Sequence, residues 1–166
     1  MVKTKYIIIS AAILITGIVV FLVFWQSEEA RVKKKFKALA QQVEKTNEET
    51  KLLSAAKAKN VKEMFTPLLM VNAPAYDFSK DLQAKELSTL VITARAQYTT
   101  LALAFHDMMV DFPAEDTADV SLTGDLKGRL TTGEYVEDIH ELRCVLKKLN
   151  DTWYFNTIEI VEVLEK

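Results

Sequence analysis

Between Tyr6 and Trp25 the chain runs for twenty residues, YIIISAAILITGIVVFLVFW, without a charge. At the α-helical rise such a run crosses roughly the 30 Å hydrocarbon core of a bilayer. Its end residues Tyr6 and Trp25 are of the amphipathic aromatic kind that sits at both interfaces. The pattern predicts an uncleaved signal-anchor helix over 6–25 behind a short tail, 1–5. A cleaved signal peptide would have a shorter apolar stretch and small residues at its end, whereas this one ends in Phe24-Trp25. Behind the anchor the spacing changes. Val32, Phe36, Leu39 and Val43 recur at i, i+4, i+7 and i+11, the stripe of a helix whose other faces carry Lys33, Lys34, Lys35, Lys37, Gln41 and Glu44. Thr46 with Glu49 reads as a capping box opening a second helix, with Leu53, Ala56, Val61, Met64 and Phe65 as its apolar side and Pro67 as its stop. LLMVNAPAYDF, broken by Pro74, reads as an edge strand or loop. A third helix is predicted from Leu87, Leu90, Val91, Ala94 and Tyr98, with Ser79 or Asp81 as cap.

Beyond Tyr98 the period becomes two. Val120, Leu122, Leu126 and Leu130 alternate with polar residues in DVSLTGDLKGRL, and Gly124 and Gly128 fall on the apolar side. EDIHELRCVLKKL fits a strand through Leu142, Cys144 and Leu146, and a helix through Ile139, Leu142, Leu146 and Leu149. The strand is preferred because Asn150-Asp151 suits a tight turn and TWYFNTIEIVEVL behind it is rich in β-branched and aromatic residues. Helices followed by long antiparallel strands predict an α+β domain, a curved sheet with helices on one face.

The order of these elements, with LRCVLKKLNDTWYFNTIEIVEVL as a closing hairpin, resembles the nuclear transport factor 2-like superfamily over roughly Glu28 to Leu164. SEEARVKKKFKALA behind a single anchor, with APAYDF, is similar more narrowly to small bacterial membrane-anchored members. The resemblance implies a cone-shaped domain over 26–166, with about three helices packed on a curved, mostly antiparallel sheet and a pocket at the open end. It covers enzymes of ketosteroid isomerase-like and dehydratase-like type, non-catalytic binders and assembly domains, so it does not choose a function. No residue set of an enzymatic member recurs here. The expectation is a non-catalytic binding or assembly module of the bacterial envelope. The alternative is an isomerase- or dehydratase-like pocket for a small apolar ligand at the membrane.

Candidate chemistry is sparse. His140 alternates with Leu142, Cys144 and Leu146, which turns it towards the helices, where a histidine titrates near neutral pH. Tyr76, Tyr98 and Tyr135, with Asp77, are the other polar groups a pocket could use. His106 and Asp107 are neighbours on a strand, so regular alternation sends them to opposite faces, His106 with Ala104, Met108 and Val110. A hydrogen-bonded structural histidine is the plainer account of each. No metal is expected: His140 and Cys144 on one strand lie roughly 13 Å apart, and no zinc spacing occurs. No cofactor is expected either, because the glycine-rich phosphate and dinucleotide turns are missing. The lone Cys144 has no partner for an internal disulfide. The net charge of −2 becomes −4 once Lys3 and Lys5 are set aside, which excludes a general nucleic-acid binder.

The partners expected are the lipid bilayer, a second copy or an envelope protein, and a small apolar ligand. Two basic residues precede the anchor, and Arg31, Lys33, Lys34, Lys35 and Lys37 follow it, which by the positive-inside rule favours a cytoplasmic domain. The resemblance to single-anchor scaffold proteins of the envelope instead points to a bacterial inner-membrane protein with its domain in the periplasm, and that is the expectation adopted.

Overall fold

The computed structural model describes residues 14, 15, 17 and 28–163. The expected anchor with its ends Tyr6 and Trp25 therefore lies outside the described residues, apart from Leu14, Ile15 and Gly17, which are helical. Among the described residues no helix is long and apolar enough to cross a membrane. The chain divides into two compact units, Met1–Arg31 and Val32–Lys166. In the first, Arg31 pairs with Glu28 at 2.6 Å. The second is the domain.

Helix α1 spans 28–43. Its stripe is as the spacing predicts: Val32, Phe36 and Leu39 are buried and Val43 packs against them, while Lys33, Lys34 and Lys37 are exposed. Helix α2 is Lys51–Lys62, one turn later than expected. Its N-cap is Thr50, whose hydroxyl accepts from the Leu53 amide at 3.2 Å. Glu49 is not a capping residue because its carboxylate is taken by two cations. Ala58 and Val61 form the buried side of α2, whereas Leu53 and Ala56 are exposed.

The helix ends at Lys62, and Pro67 sits inside strand β1, Phe65–Ala73. The pairing of β1 shifts between Phe65 and Met70, so the missing proline N–H falls where the ladder is already irregular. LLMVNA is thus not an edge. The 3-10 turn Pro74–Tyr76 leads to β2, Phe78–Gln83, which is. Helix α3, Ala84–Ala96, is capped by Gln83 in a box with Glu86, Ser79 and Asp81 being strand residues. Leu87 and Val91 pack on the core as expected, but Leu90 and Ala94 are exposed, and the buried residue of α3 is Arg95.

Four long strands follow: β3 Tyr98–Ala114, β4 Thr117–Leu130, β5 Tyr135–Leu149 and β6 Thr152–Val163. The six-stranded sheet has the order β2-β1-β6-β5-β4-β3, antiparallel except for the parallel β1–β6 pair. The doubtful segment 137–149 is strand, and Asn150-Asp151 closes its hairpin with both residues at positive φ, 48° and 64°. Two positive values are what a two-residue turn needs to match strand twist.

Three helices cover one face of this curved sheet. There Phe36 meets Phe155 and Phe105 edge-on, at 4.9 and 5.3 Å between ring centres, and Trp153, Leu146, Val120 and Leu69 complete the core. Trp153 and Phe155 are both buried within the fold. Gly128 admits no side chain on this face: a Cβ there would stand 2.7 Å from the Tyr98 ring and 2.8 Å from the Thr100 carbonyl.

Candidate functional site

Regular alternation fails in the middle of β3, and that failure organises the outer face of the sheet. Asp107 has φ 52°, and the β3–β4 register shifts between His106 and Met109. The bulge moves one residue out of step. Phe105, Met108, Val110 and Phe112 consequently pack on the core, while Met109 is 67% exposed. His106 does not share a face with Met108 and Val110. A second irregularity, between Glu141 and Leu142, disturbs the β5–β6 pairing on the opposite flank.

Between these two bulges lies a groove of about 490 Å³ on the outer face. One cross-strand row, Met109–Ser121–Arg143–Glu159, runs across it. Asp107, Asp111, Asp119 and Glu141 also line it, so five carboxylates face one guanidinium. Arg143 is already engaged: its Nε and Nη2 donate to the two oxygens of Asp119 at 3.1 and 2.5 Å. That hydrogen bonding, then the charges of Asp119 and Glu159, push the guanidinium further up from its ordinary range. Four negative charges remain without a cation in the lining, beside the exposed apolar surfaces of Met109 and Val161. Smaller concavities lie along α2 and α3, by Glu49 and Ile92, and at the β1–β2 turn, by Asp77 and Glu159.

The residues singled out from sequence do not converge. His140 lies on the inner face, opposite Gly124, half-buried, and its Nδ1 is buried with no partner among the described residues. Tyr98 is also inward, its ring against Gly128. Gly124 and Gly128 are four residues, roughly 13 Å, apart on β4, so the two side chains stand at separate places along the sheet. His106 faces outward, with Nε2 4.0 Å from Asp125 Oδ2. Asp125 also takes Lys127 at 2.7 Å, and Lys127 in turn reaches Glu137 at 3.2 Å. Tyr135 is 56% exposed, opposite Arg129. Tyr76 ends the 3-10 turn, and its side chain lies outside the described residues. Asp138, two positions before His140 on the same face of β5, is the carboxylate that the strand pattern offered and that was passed over. Cys144 is buried, and its thiol is pushed up to about 12 by burial and by the charge of Asp119. Among the described residues no group of three or more His, Cys, Asp or Glu could hold a metal ion.

No family model matches the sequence, and no curated protein matches it. Solved structures do match. A protein provisionally assigned as a scytalone dehydratase, from Novosphingobium aromaticivorans, superposes with a TM-score of 0.65 at 13% identity over 84% of this chain and 86% of its own. A type-3 hexachlorocyclohexane dehydrochlorinase from Novosphingobium barchaimii gives 0.62 at 6% identity, over 84% and 90%. A domain provisionally assigned as a calcium/calmodulin-dependent protein kinase II association domain, from Xanthomonas campestris, gives 0.56 at 9%, over 81% and 86%. Identities this low speak for the fold alone. The chain carries a nuclear transport factor 2-like fold, a cone-like α+β domain of three helices on a curved mixed sheet.

Proposed function

We propose that this chain is a membrane-anchored binding module that receives a cationic group of a protein partner in the groove on the outer face of its sheet. The observation that carries the reading is the groove between the two bulges, with five carboxylates against one guanidinium already paired to Asp119. A cation entering there is attracted by the remaining charge, and its aliphatic stem has Met109 and Val161 to lie on. Acid–base turnover finds less support, since a general acid or base acts through a second placed group and the two histidines stand on opposite faces of the sheet. Tetralysine is the probe. Titrated into the full chain in phosphatidylcholine nanodiscs, it is expected to shift the amide resonances of 107–111, 119–123, 141–143 and 159–161 saturably. Asp111→Asn with Glu141→Gln is expected to weaken that binding about tenfold or more, as loss of close charge pairs does. Absence of saturable shifts, or shifts confined elsewhere, overturns the reading.

A second reading, a pocket for a small apolar ligand, is favoured by the unpartnered His140 Nδ1 on the inner face and by the enzyme names borne by two of the similar structures. There Asp138 is the neighbouring carboxylate. An apolar molecule with one hydroxyl, such as 2-naphthol, is expected on this reading to move the His140 ring resonances saturably, and His140→Phe to abolish the binding. Unmoved ring resonances with 2-naphthol exclude it.

A further inference from the structure

The partner of the outer groove has a counterpart on the chain itself. Lys33, Lys34 and Lys37 are exposed on α1, opposite the stripe that enters the core. Lys33 and Lys37 are one turn apart, about 6 Å along the axis. Phe36 lies between them in sequence and points the other way, onto Phe105 and Phe155. Those two rings mark the level of α1 on the sheet. Phe105 belongs to the row Phe105–Gly124–His140 and Phe155 to the row Ala118–Leu146–Phe155. The row Met109–Ser121–Arg143–Glu159 lies between them and faces outward. The lysine stripe and the acidic groove therefore stand on opposite sides of one domain, at the same level of the sheet.

We infer that copies of this chain associate head to tail, the α1 lysines of one copy entering the outer acidic groove of the next. The inference rests on the groove reading above and names its partner. Such a contact is heterologous: each copy keeps a free groove at one end and a free lysine stripe at the other, so it builds rows or closed rings rather than an isolated two-fold pair. Copies held by anchors in one bilayer present the two surfaces side by side, since both lie at one level. Tethering also raises their effective concentration, so a contact built on a few charge pairs suffices. Ionic strength weakens it, because the lysines and most of the carboxylates are solvent-exposed.

The test is energy transfer between donor- and acceptor-labelled full-length chains in phosphatidylcholine vesicles, with the labels on Glu115→Cys in the β3–β4 turn. Cys144 is buried with its thiol pushed up to about 12, so it does not compete for label. Transfer above that of a non-associating anchored protein at equal surface density is expected at low ionic strength. Lys33→Glu with Lys34→Glu and Lys37→Glu removes it, as does Glu141→Lys with Glu159→Lys. Mixing these two variants restores it, because the reversed stripe of each fits the groove of the other. Apparent association is expected to fall about tenfold or more in each variant alone and to recover in the mixture. Transfer that is absent in the native chain, indifferent to charge reversal, or unrecovered on mixing overturns the inference. Tetralysine added to the Lys→Glu triple variant separates the two claims: binding there, without transfer between native copies, leaves the groove reading standing and removes self-association.

Discussion

Arg95→Ala is expected to destabilise the domain by about 3–5 kcal/mol, the usual consequence of removing one member of a buried ion pair. The guanidinium is 2% exposed and bonded to the Glu49 carboxylate, which is 1% exposed. It also donates to the carbonyls of Gln42, Val43 and Glu44, the last groups of α1 and the turn beyond it. Those carbonyls have no partner within the helix. Lys57 reaches the other oxygen of Glu49 at 2.9 Å and the Glu44 carbonyl at 2.7 Å. Lys45 holds the carbonyls of Arg95 and Tyr98 at 2.8 and 2.5 Å. One cluster thus ties the end of α1, the start of α2 and the end of α3 together. Losing Arg95 leaves Glu49 buried with only Lys57, and the helix end uncapped. Denaturant unfolding of Arg95→Ala, Glu49→Gln and the double variant measures it, and the double is expected to cost less than the sum of the singles. Additive costs would show that the pair is not coupled.

The same cluster sets a pH dependence. Burial pushes the Glu49 carboxyl up, but hydrogen bonds from Arg95 and Lys57, and then their charges, outweigh it and hold the group below its ordinary value. A carboxylate depressed in the folded state contributes stability that is complete above its unfolded pKa, about 4.3. The contribution is lost as pH falls from there through the folded value. Glu49→Gln should therefore flatten the acid limb of the stability profile and leave its shape near neutrality unchanged.

The elements that sequence makes legible here are those whose periodicity local backbone geometry preserves. The α1 stripe, the alternation of β4 and the Asn150-Asp151 hairpin all follow from the side-chain period with the turn chemistry to match. Departures come where a long-range partner overrides the local rule. Thr46-Glu49 has the spacing of a capping box, yet Glu49 is claimed by Arg95, 46 positions away in sequence. Pro67 ends helices by rule, but here a register shift in β1 absorbs it. Leu90 has an apolar character that the stripe on α3 does not use. The groove was illegible for a related reason. Its residues come from four strands, and only the bulges at Asp107 and Glu141–Leu142 bring them round one concavity. The available hint was local: Asp107, Asp111, Asp119, Glu141 and Glu159 all sit at or beside positions of strict alternation, where charge on the solvent side looks ordinary.

Phe36→Ala is expected to cost about 3–5 kcal/mol, the range for a buried aromatic truncated to alanine. Phe36 is 1% exposed, and its ring sits edge-on to two others, Phe105 from β3 and Phe155 from β6. These strands are not neighbours in the sheet, since β4 and β5 lie between them. The ring therefore joins far-apart parts of the curved sheet to α1, and edge-to-face pairs add to the burial itself. Phe36→Leu keeps most of the volume but loses both ring pairs, so it should cost clearly less, about 1–2 kcal/mol. Both values come from denaturant unfolding of the full chain. Equal losses in the two variants would show that the ring geometry, rather than the filled volume, carries the contact. A small loss in Phe36→Ala would instead mean that α1 does not close the core. The position also bears on association, because the lysines flanking Phe36 keep their level on the sheet only while its ring is seated. Phe36→Leu is accordingly expected to preserve energy transfer between copies and Phe36→Ala to reduce it.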